Sequence, residues 1–195
     1  SQQDEDHRVV ADWKYYGRSG QVLLRSGYSD KQLGFSQRNR IPGLGLVPSI
    51  YSESRQQSLY NTLSYSLDLP AEFSIEGVLD VDRHEVSTRD SVSHLGYEGR
   101  RKELSLLLAV RKRFADRINL NLMLRQEWVD GERIPFIPFL GMDLRLLKEA
   151  DLILKASIAR NYHLPTLNDL YWQPGGNRSL LPEEGYSLEG GLEYQ

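Results

Sequence analysis

The feature that most limits what this chain can fold into is a two-residue alternation of apolar and polar side chains sustained over long stretches. In residues 59–69 the odd positions are Leu59, Asn61, Leu63, Tyr65, Leu67 and Leu69, and the even ones are Tyr60, Thr62, Ser64, Ser66 and Asp68. Successive side chains on a strand point to opposite faces, so this segment reads as a strand between an apolar and a polar medium. The pattern recurs. Phe73, Ile75, Gly77, Leu79 and Val81 oppose Ser74, Glu76, Asp80, Asp82 and His84, broken only by Val78. Leu104, Leu106, Leu108 and Val110 oppose Glu103, Ser105, Arg111 and Arg113, with Leu107 and Ala109 as exceptions. Ile118, Leu120, Leu122 and Leu124 oppose Arg117, Asn119, Asn121 and Arg125. Leu140, Met142, Leu144 and Leu146 oppose Asp143 and Arg145, and Leu152, Leu154, Ala156 and Ile158 oppose Lys155, Ser157 and Asn161. Leu188, Leu192 and Tyr194 oppose Ser187, Glu189 and Glu193. Two earlier strands are weaker: Val9, Ala11, Trp13 and Tyr15, then Val22, Leu24 and Tyr28, where Leu23 breaks the rule.

This makes about nine strands, many of roughly 10 to 14 residues, whereas globular strands average about 5 to 6. Tilted membrane strands need about 9 to 11 residues to cross the hydrocarbon. The expected fold class is all-β: an antiparallel transmembrane β-barrel segment. No apolar run approaches the roughly 20 residues of a transmembrane helix. A mean hydropathy of −0.51 does not oppose the barrel, because strands that alternate between lipid and water average to a polar value. The polar, acidic residues 1–8 do not form a signal peptide.

The connections alternate in length. Residues 17–20, 70–72, 115–116 and 148–151 are short; 38–57, 86–102 and 163–185 read as long loops, and only 130–133 breaks the alternation. Outer-membrane barrels have short periplasmic turns and longer extracellular loops, which places Pro70, Asp116 and Glu149 on the periplasmic side. Phe73 and Phe114 sit beside the inner turns, and Trp128 and Tyr162 near the outer ends, as interfacial girdles require.

Composition removes several functions. The 195 residues include no cysteine, so disulfides, thiolate metal sites and Cys nucleophiles are absent. A net charge of −3 lacks the basic footprint of a nucleic-acid binder. No catalytic constellation is legible, and neither an enzyme, a cofactor nor a metal centre is expected. His7, His84, His94 and His163 are far apart and lack metal-ligand spacing. His84 shares a face with Asp80 and Asp82 and is carried forward as a ligand-contact candidate. The acidic row Glu76, Asp80 and Asp82 is expected to pair across a wet interior with Arg111, Arg113, Arg117 and Arg125. Pro174-Gly175-Gly176-Asn177 lacks the ending of a phosphate loop and reads as a turn in which glycine supplies positive φ.

The segment from Ser157 to Tyr194 carries a sharper signal. It runs Arg160, then Pro165-Thr166, then Asp169-Leu170-Tyr171-Trp172, Gly176-Asn177, Pro182-Glu183, and a strand with Glu189-Gly190. In order and spacing it resembles the late-barrel region of TonB-dependent outer-membrane receptors. Two positions depart from the commonest pattern: Arg160 stands further from Pro165, and Leu181 occupies a place where lysine is frequent. The Tyr-Trp and Gly-Gly-Asn variant is similar to vitamin B12 and haem receptor-like members.

The resemblance implies a 22-stranded barrel, of which residues 1–195 would supply about nine strands, with an N-terminal plug and TonB box outside this chain. It implies a bacterial outer-membrane receptor that takes up a large scarce nutrient of the cobalamin, haem or siderophore class. Its implied partners are the TonB complex, outer-membrane lipid and the nutrient ligand, with room for a surface lipoprotein and none for nucleic acid. Arg160, Pro165, Thr166, Asp169, Leu170, Tyr171, Asn177, Pro182 and Glu183 are expected to be structural. Tyr171, Trp172, Asn177 and His84 are the candidates for ligand contact in the outer loops. Two alternatives stay open: a small complete outer-membrane barrel with an adhesive or structural role, and a soluble β-sandwich binding module whose apolar faces meet in a core.

Overall fold

The computed structural model describes residues 1–147, 152–173 and 175–194. The turn at 148–151, Glu149 within it, and Pro174 lie outside the described residues. The strands are β1 (Gln2–Tyr16), β2 (Gly20–Ile41), β3 (Gly45–Leu69), β4 (Phe73–Asp90), β5 (Gly96–Phe114), β6 (Ile118–Val129), β7 (Glu132–Arg133), β8 (Ile137–Leu147), β9 (Leu152–His163) and β10 (Glu183–Tyr194). A short helix, α1 (Leu167–Tyr171), lies between β9 and β10. All ten strands form one antiparallel sheet in the order β1-β2-β3-β4-β5-β6-β8-β9-β10, with the two-residue β7 on β6. The nine long strands are those the alternation marks. β1 and β10 are the free edges, so the described sheet is not closed. The reading of these residues as a complete small barrel therefore fails.

Register turns the separate apolar faces into one surface. Leu67, Ile75, Val110, Leu122, Leu140, Ile158 and Leu188 are successive cross-strand partners from β3 to β10. Leu24, Leu63, Leu79 and Leu106 form a second such row. A slip by one residue would turn a whole strand's apolar set to the other face, so neighbouring strands fix each other's register. This surface is bare: Leu63, Leu106 and Ile158 are 43%, 47% and 51% exposed. Among the described residues the buried hydrophobics are only Ala109 and Ile134. No second layer of the described residues covers the sheet, and the sandwich alternative is overturned with it. The exposed band runs from Leu59 to Leu69 on β3 and from Leu104 to Phe114 on β5, the length that tilted strands need to cross hydrocarbon.

The breaks in alternation also line up. On the opposite, lumen-facing side Leu23, Ser64, Val78, Leu107, Arg125 and Ile137 are successive partners, and Ala109, Met123 and Phe139 form the next row. The exceptions therefore make an apolar island on the inner wall.

Two of the inner-end turns, at 71–72 and 115–116, are tight and left-handed. Ala71 and Glu72 have φ of 62° and 54°, and Ala115 and Asp116 have 47° and 53°. Consecutive positive-φ residues are the conformation that matches the right-handed twist of the flanking strands in short hairpins.

Two expected outer loops are not loops. β2 continues through a bulge at Gln37/Arg38 to Ile41, and β3 returns from Gly45, so most of 38–57 is paired strand. β4 and β5 likewise run on to Asp90 and from Gly96, leaving a short hairpin where 86–102 reads as loop. The physical reason is the medium. Beyond the hydrocarbon both faces meet water, apolar alternation vanishes from the sequence, and the hydrogen-bond ladder continues. From Gly45 to Ser58, β3 adds roughly 45 Å of strand above the apolar band. Of the three expected long connections, only the one between β9 and β10 is long.

The acidic row does not meet the arginines expected of it. Register sets Asp80 opposite Ser105 and Asp82 opposite Glu103. Asp80 accepts the Thr62 hydroxyl at 2.7 Å, while Arg125 turns to Ser105 at 2.9 Å and to Glu127 at 2.6 Å. Arg111, opposite Ser74 and Asn121, lies well inward of Asp80 and Asp82 and is a diagonal neighbour of Glu76, with which it forms no ion pair among the described residues.

Candidate functional site at the outer rim

The wall is uneven in height. β6 ends at Val129 and β8 begins at Ile137, whereas β4 and β5 continue well past that level. The β9–β10 connection uses the gap. It leaves β9 after His163, where Pro165 has no N–H to continue a ladder. It then passes over the low strands and lands on the inner face of β5. Arg101, whose side chain is 13% exposed, donates to the Pro165 carbonyl at 2.6 Å. The Tyr97 hydroxyl donates to the Asn168 side-chain Oδ1 at 3.3 Å. Tyr97 stacks on Tyr171 with ring centroids 6.3 Å apart and meets Trp172 edge-on at the same distance. Gly99 permits this approach: a Cβ there would lie 3.4 Å from both Tyr171 Cδ2 and Val86 Cγ1.

The connection is internally braced. Thr166 caps α1. Its hydroxyl accepts from the Asp169 N–H at 3.1 Å, and the Asp169 carboxylate accepts from the Thr166 N–H at 2.9 Å and from its hydroxyl at 2.6 Å. The Thr166 hydroxyl, then its N–H, hold the Asp169 carboxyl below the usual carboxylate range. This is a capping box with aspartate in place of the usual glutamate or glutamine. The Leu170 N–H returns to the Thr166 carbonyl at 3.2 Å. Asn177 donates its N–H to the Asp169 carbonyl at 2.8 Å, and its side-chain oxygen accepts from Ser179 at 2.9 Å. Arg178 lies over the Tyr171 ring at 5.0 Å.

The glycine requirement at 175–176 differs from the expected one. Positive φ is confined to Gly43, Gly45 and Gly131 among the described glycines. What Gly176 supplies is space, since a Cβ there would sit 2.5 Å from the Trp172 carbonyl oxygen.

The motif residues thus divide. Thr166, Asp169, Leu170 and Asn177 hold the connection together. Pro165 and Tyr171 hold it to β5. Arg160 pairs with Glu184 at 2.6 Å and lies over Tyr186, tying β9 to β10. Glu183 opens β10 opposite His163, directly after Pro182. Of the four ligand-contact candidates, Trp172, 38% exposed, and Asn177 are exposed, and Tyr171 and His84 are half-buried. His84 lies on strand β4 rather than in a loop. Its ring is 5.3 Å from Tyr60, and its Nδ1 is 3.0 Å from the fully buried Ser58 hydroxyl. It is also the register neighbour of Arg101, so it stands on the wall below the seated connection. Donor atoms of Asp82, His84 and Glu103 lie within 4.8 Å of one another, close enough to share a cation. Tyr97, Gly99 and Arg101 are the contacts that sequence reasoning missed. They alternate on one face, but without an apolar signal to mark them.

A single bilayer-long apolar band, a polar and partly apolar inner wall, tight inner turns and tall outer strands define the wall of a bacterial outer-membrane β-barrel. The chain belongs to the TonB-dependent receptor family: residues 2–195 match the family described as TonB dependent receptor-like, beta-barrel. No curated protein matches it by sequence. Among solved structures it is similar to the copper transporter OprC, with 14% identity, a TM-score of 0.79, and coverage of 98% of this chain and 36% of that one. The siderophore receptor PirA from Pseudomonas aeruginosa gives 16% identity and a TM-score of 0.63, covering 100% of this chain and 43% of that one. A variant of the ferric enterobactin receptor PfeA from Pseudomonas aeruginosa gives 16% identity and a TM-score of 0.75, covering 100% and 33%. The chain spans less than half the length of each. At such identities these likenesses concern the fold.

Proposed function

We propose that residues 1–195 form part of the wall of a 22-stranded receptor that imports a large scarce nutrient by TonB-coupled transport, with the plug and TonB box outside this chain. The observation that carries this reading is the inner apolar island around Val78, Leu107, Ala109, Met123 and Phe139. A lumen filled by water gains nothing from apolar wall residues; a lumen filled by a protein plug does, because the plug removes them from water. The tall strands and the seated β9–β10 connection then frame the outer vestibule, where ligand meets Trp172, Tyr171 and the wall around His84. The cargo class is cobalamin, haem or a ferric siderophore. The first two follow the sequence resemblance, and the third agrees with two of the structural relatives. The TonB complex is the energy-coupling partner, and a surface lipoprotein is compatible with the tall outer rim.

The test is uptake by cells producing the full-length receptor, supplied in turn with labelled cobalamin, haem and a ferric siderophore. Accumulation of one of them is expected to require both TonB and the proton-motive force. Undiminished accumulation after an uncoupler is added refutes the coupled mechanism.

A further inference from the structure

We propose that Asp82, His84 and Glu103, on the lumen-facing side of β4 and β5, hold a resident divalent cation of the zinc class. This inference rests on the register of β3, β4 and β5 and not on the identity of the cargo.

Asp82 and His84 stand two residues apart on β4 and share a face, and register brings Glu103 of β5 directly opposite Asp82. Like charges directly opposite each other on neighbouring strands are destabilising. The cations nearby do little to relieve this pair. Asp82 accepts the Asn61 N–H at 3.3 Å and has no lysine or arginine partner among the described residues. Glu103 lies 3.9 Å from the Arg101 guanidinium, which is committed to the Pro165 carbonyl at 2.6 Å. The adjacent charges are engaged elsewhere: Asp80 accepts the Thr62 hydroxyl at 2.7 Å, and Arg125 pairs with Glu127 at 2.6 Å. Two half-buried carboxylates therefore converge beside one imidazole, with all three donor atoms within 4.8 Å of one another. A divalent ion between them turns the repulsion into ligation.

The imidazole is held as a metal ligand is held. Its Nδ1 lies 3.0 Å from the hydroxyl of Ser58, which is 1% exposed, and Tyr60 meets the ring edge-on at 5.3 Å. Engagement of one ring nitrogen fixes the tautomer and leaves the other, here Nε2, to ligate. Bonds of about 2.0 to 2.2 Å to nitrogen and oxygen are reached by small side-chain rotations from this arrangement. One imidazole with two carboxylates suits a first-row divalent ion, whereas Ca²⁺ and Mg²⁺ are served by oxygen alone. The level of the site gives the ion a purpose. Glu103 and Val129 form the last paired row of β5 and β6. Above it β5 rises without β6 to Arg101, Gly99 and Tyr97, the seat of the β9–β10 connection, and an ion shared with β4 braces β5 at that height. Spacing in the sequence does not reveal the site because the third ligand comes from the next strand.

The full-length receptor, stripped with a chelator, is titrated with Zn²⁺ and with Ca²⁺ by calorimetry, and its Co²⁺ form is read by visible absorption. Wild type is expected to take up one more Zn²⁺ than the triple variant Asp82→Asn, His84→Ala, Glu103→Gln, so any other metal site in the receptor cancels in the difference. Ser58→Ala, which removes only the hydroxyl that orients His84, should weaken that Zn²⁺ about tenfold, and each ligand substitution should weaken it further. The Co²⁺ band should disappear with His84→Ala. Glu85→Gln, on the opposite face of β4, should leave Zn²⁺ binding unchanged. The variants are first shown to keep the heat-modifiable folded form. Equal Zn²⁺ uptake by wild type and the triple variant overturns the proposal, as does Ca²⁺ bound as tightly as Zn²⁺. Cells with and without the receptor should accumulate equal zinc; a receptor-dependent rise would make the ion cargo and overturn its assignment as a resident of the wall.

Discussion

Arg101 on β5 donates to the carbonyl of Pro165, 64 residues further along the chain, and this bond fastens the β9–β10 connection across the low strands β6 and β8. Because the guanidinium is mostly withdrawn from water, losing it leaves a carbonyl unpaired in a place shielded by protein.

Arg101→Ala is expected to loosen the connection by about 1.5 to 3 kcal/mol, the range for a hydrogen bond to a charged group. Amide hydrogen exchange of the full-length receptor reads this out: faster exchange in 164–182, with the lipid-embedded parts of β3 to β6 unchanged. Uniform acceleration through the barrel would place Arg101 in the general fold rather than in this clamp.

The cap of α1 should be sensitive to acid. Asp169 has its pKa lowered in the folded state, first by the Thr166 hydroxyl and then by the Thr166 N–H. A depressed folded pKa means that the unfolded segment binds a proton first. The stabilisation is therefore complete above the ordinary carboxylate pKa and is lost as pH falls from there through the folded value. Trp172 fluorescence should report the loosening in acid. Asp169→Asn should be loosened already at neutral pH and show no further acid step. Thr166→Ala should cost about 1 kcal/mol of the same local stability.

Gly176→Ala tests a contact rather than a dihedral. The added Cβ would meet the Trp172 carbonyl oxygen at 2.5 Å and the Trp172 nitrogen at 2.6 Å, both backbone atoms that cannot swing aside. The variant should displace the segment after α1 and raise proteolytic nicking there. Gly185→Ala, with nothing within 4 Å, serves as the tolerated comparison.

The two faces of the wall should answer differently to the same charge. Leu108 faces lipid in the row with Gly77 and Leu124, and Leu108→Arg should destabilise the barrel by about 2 to 4 kcal/mol near the bilayer centre. Ser157 faces the lumen opposite Gly141 and Glu189, and Ser157→Arg should be accepted. The yield of heat-modifiable receptor refolded into vesicles distinguishes them. Equal loss from both substitutions would contradict the assignment of faces.

The sequence alone determined the strands inside the bilayer, which residues face lipid and where the described inner turns fall. It could do so because a strand between two different media must alternate, and Leu59 to Leu69 or Ile118 to Leu124 record that requirement directly. The order from Pro165 to Glu183 likewise pointed to the family. Tertiary structure decided the rest. Above the membrane both faces of β2 and β3 meet water, so composition stops reporting the ladder while pairing continues out to Ile41 and back from Gly45. Register, which no single segment contains, gathered Leu23, Val78 and Leu107 into one row, and Asp82 and Glu103 into another. The seat of Tyr171 on Tyr97 and Gly99 depends on β6 and β8 being lower than β5, a difference in height that exists only once the strands lie side by side.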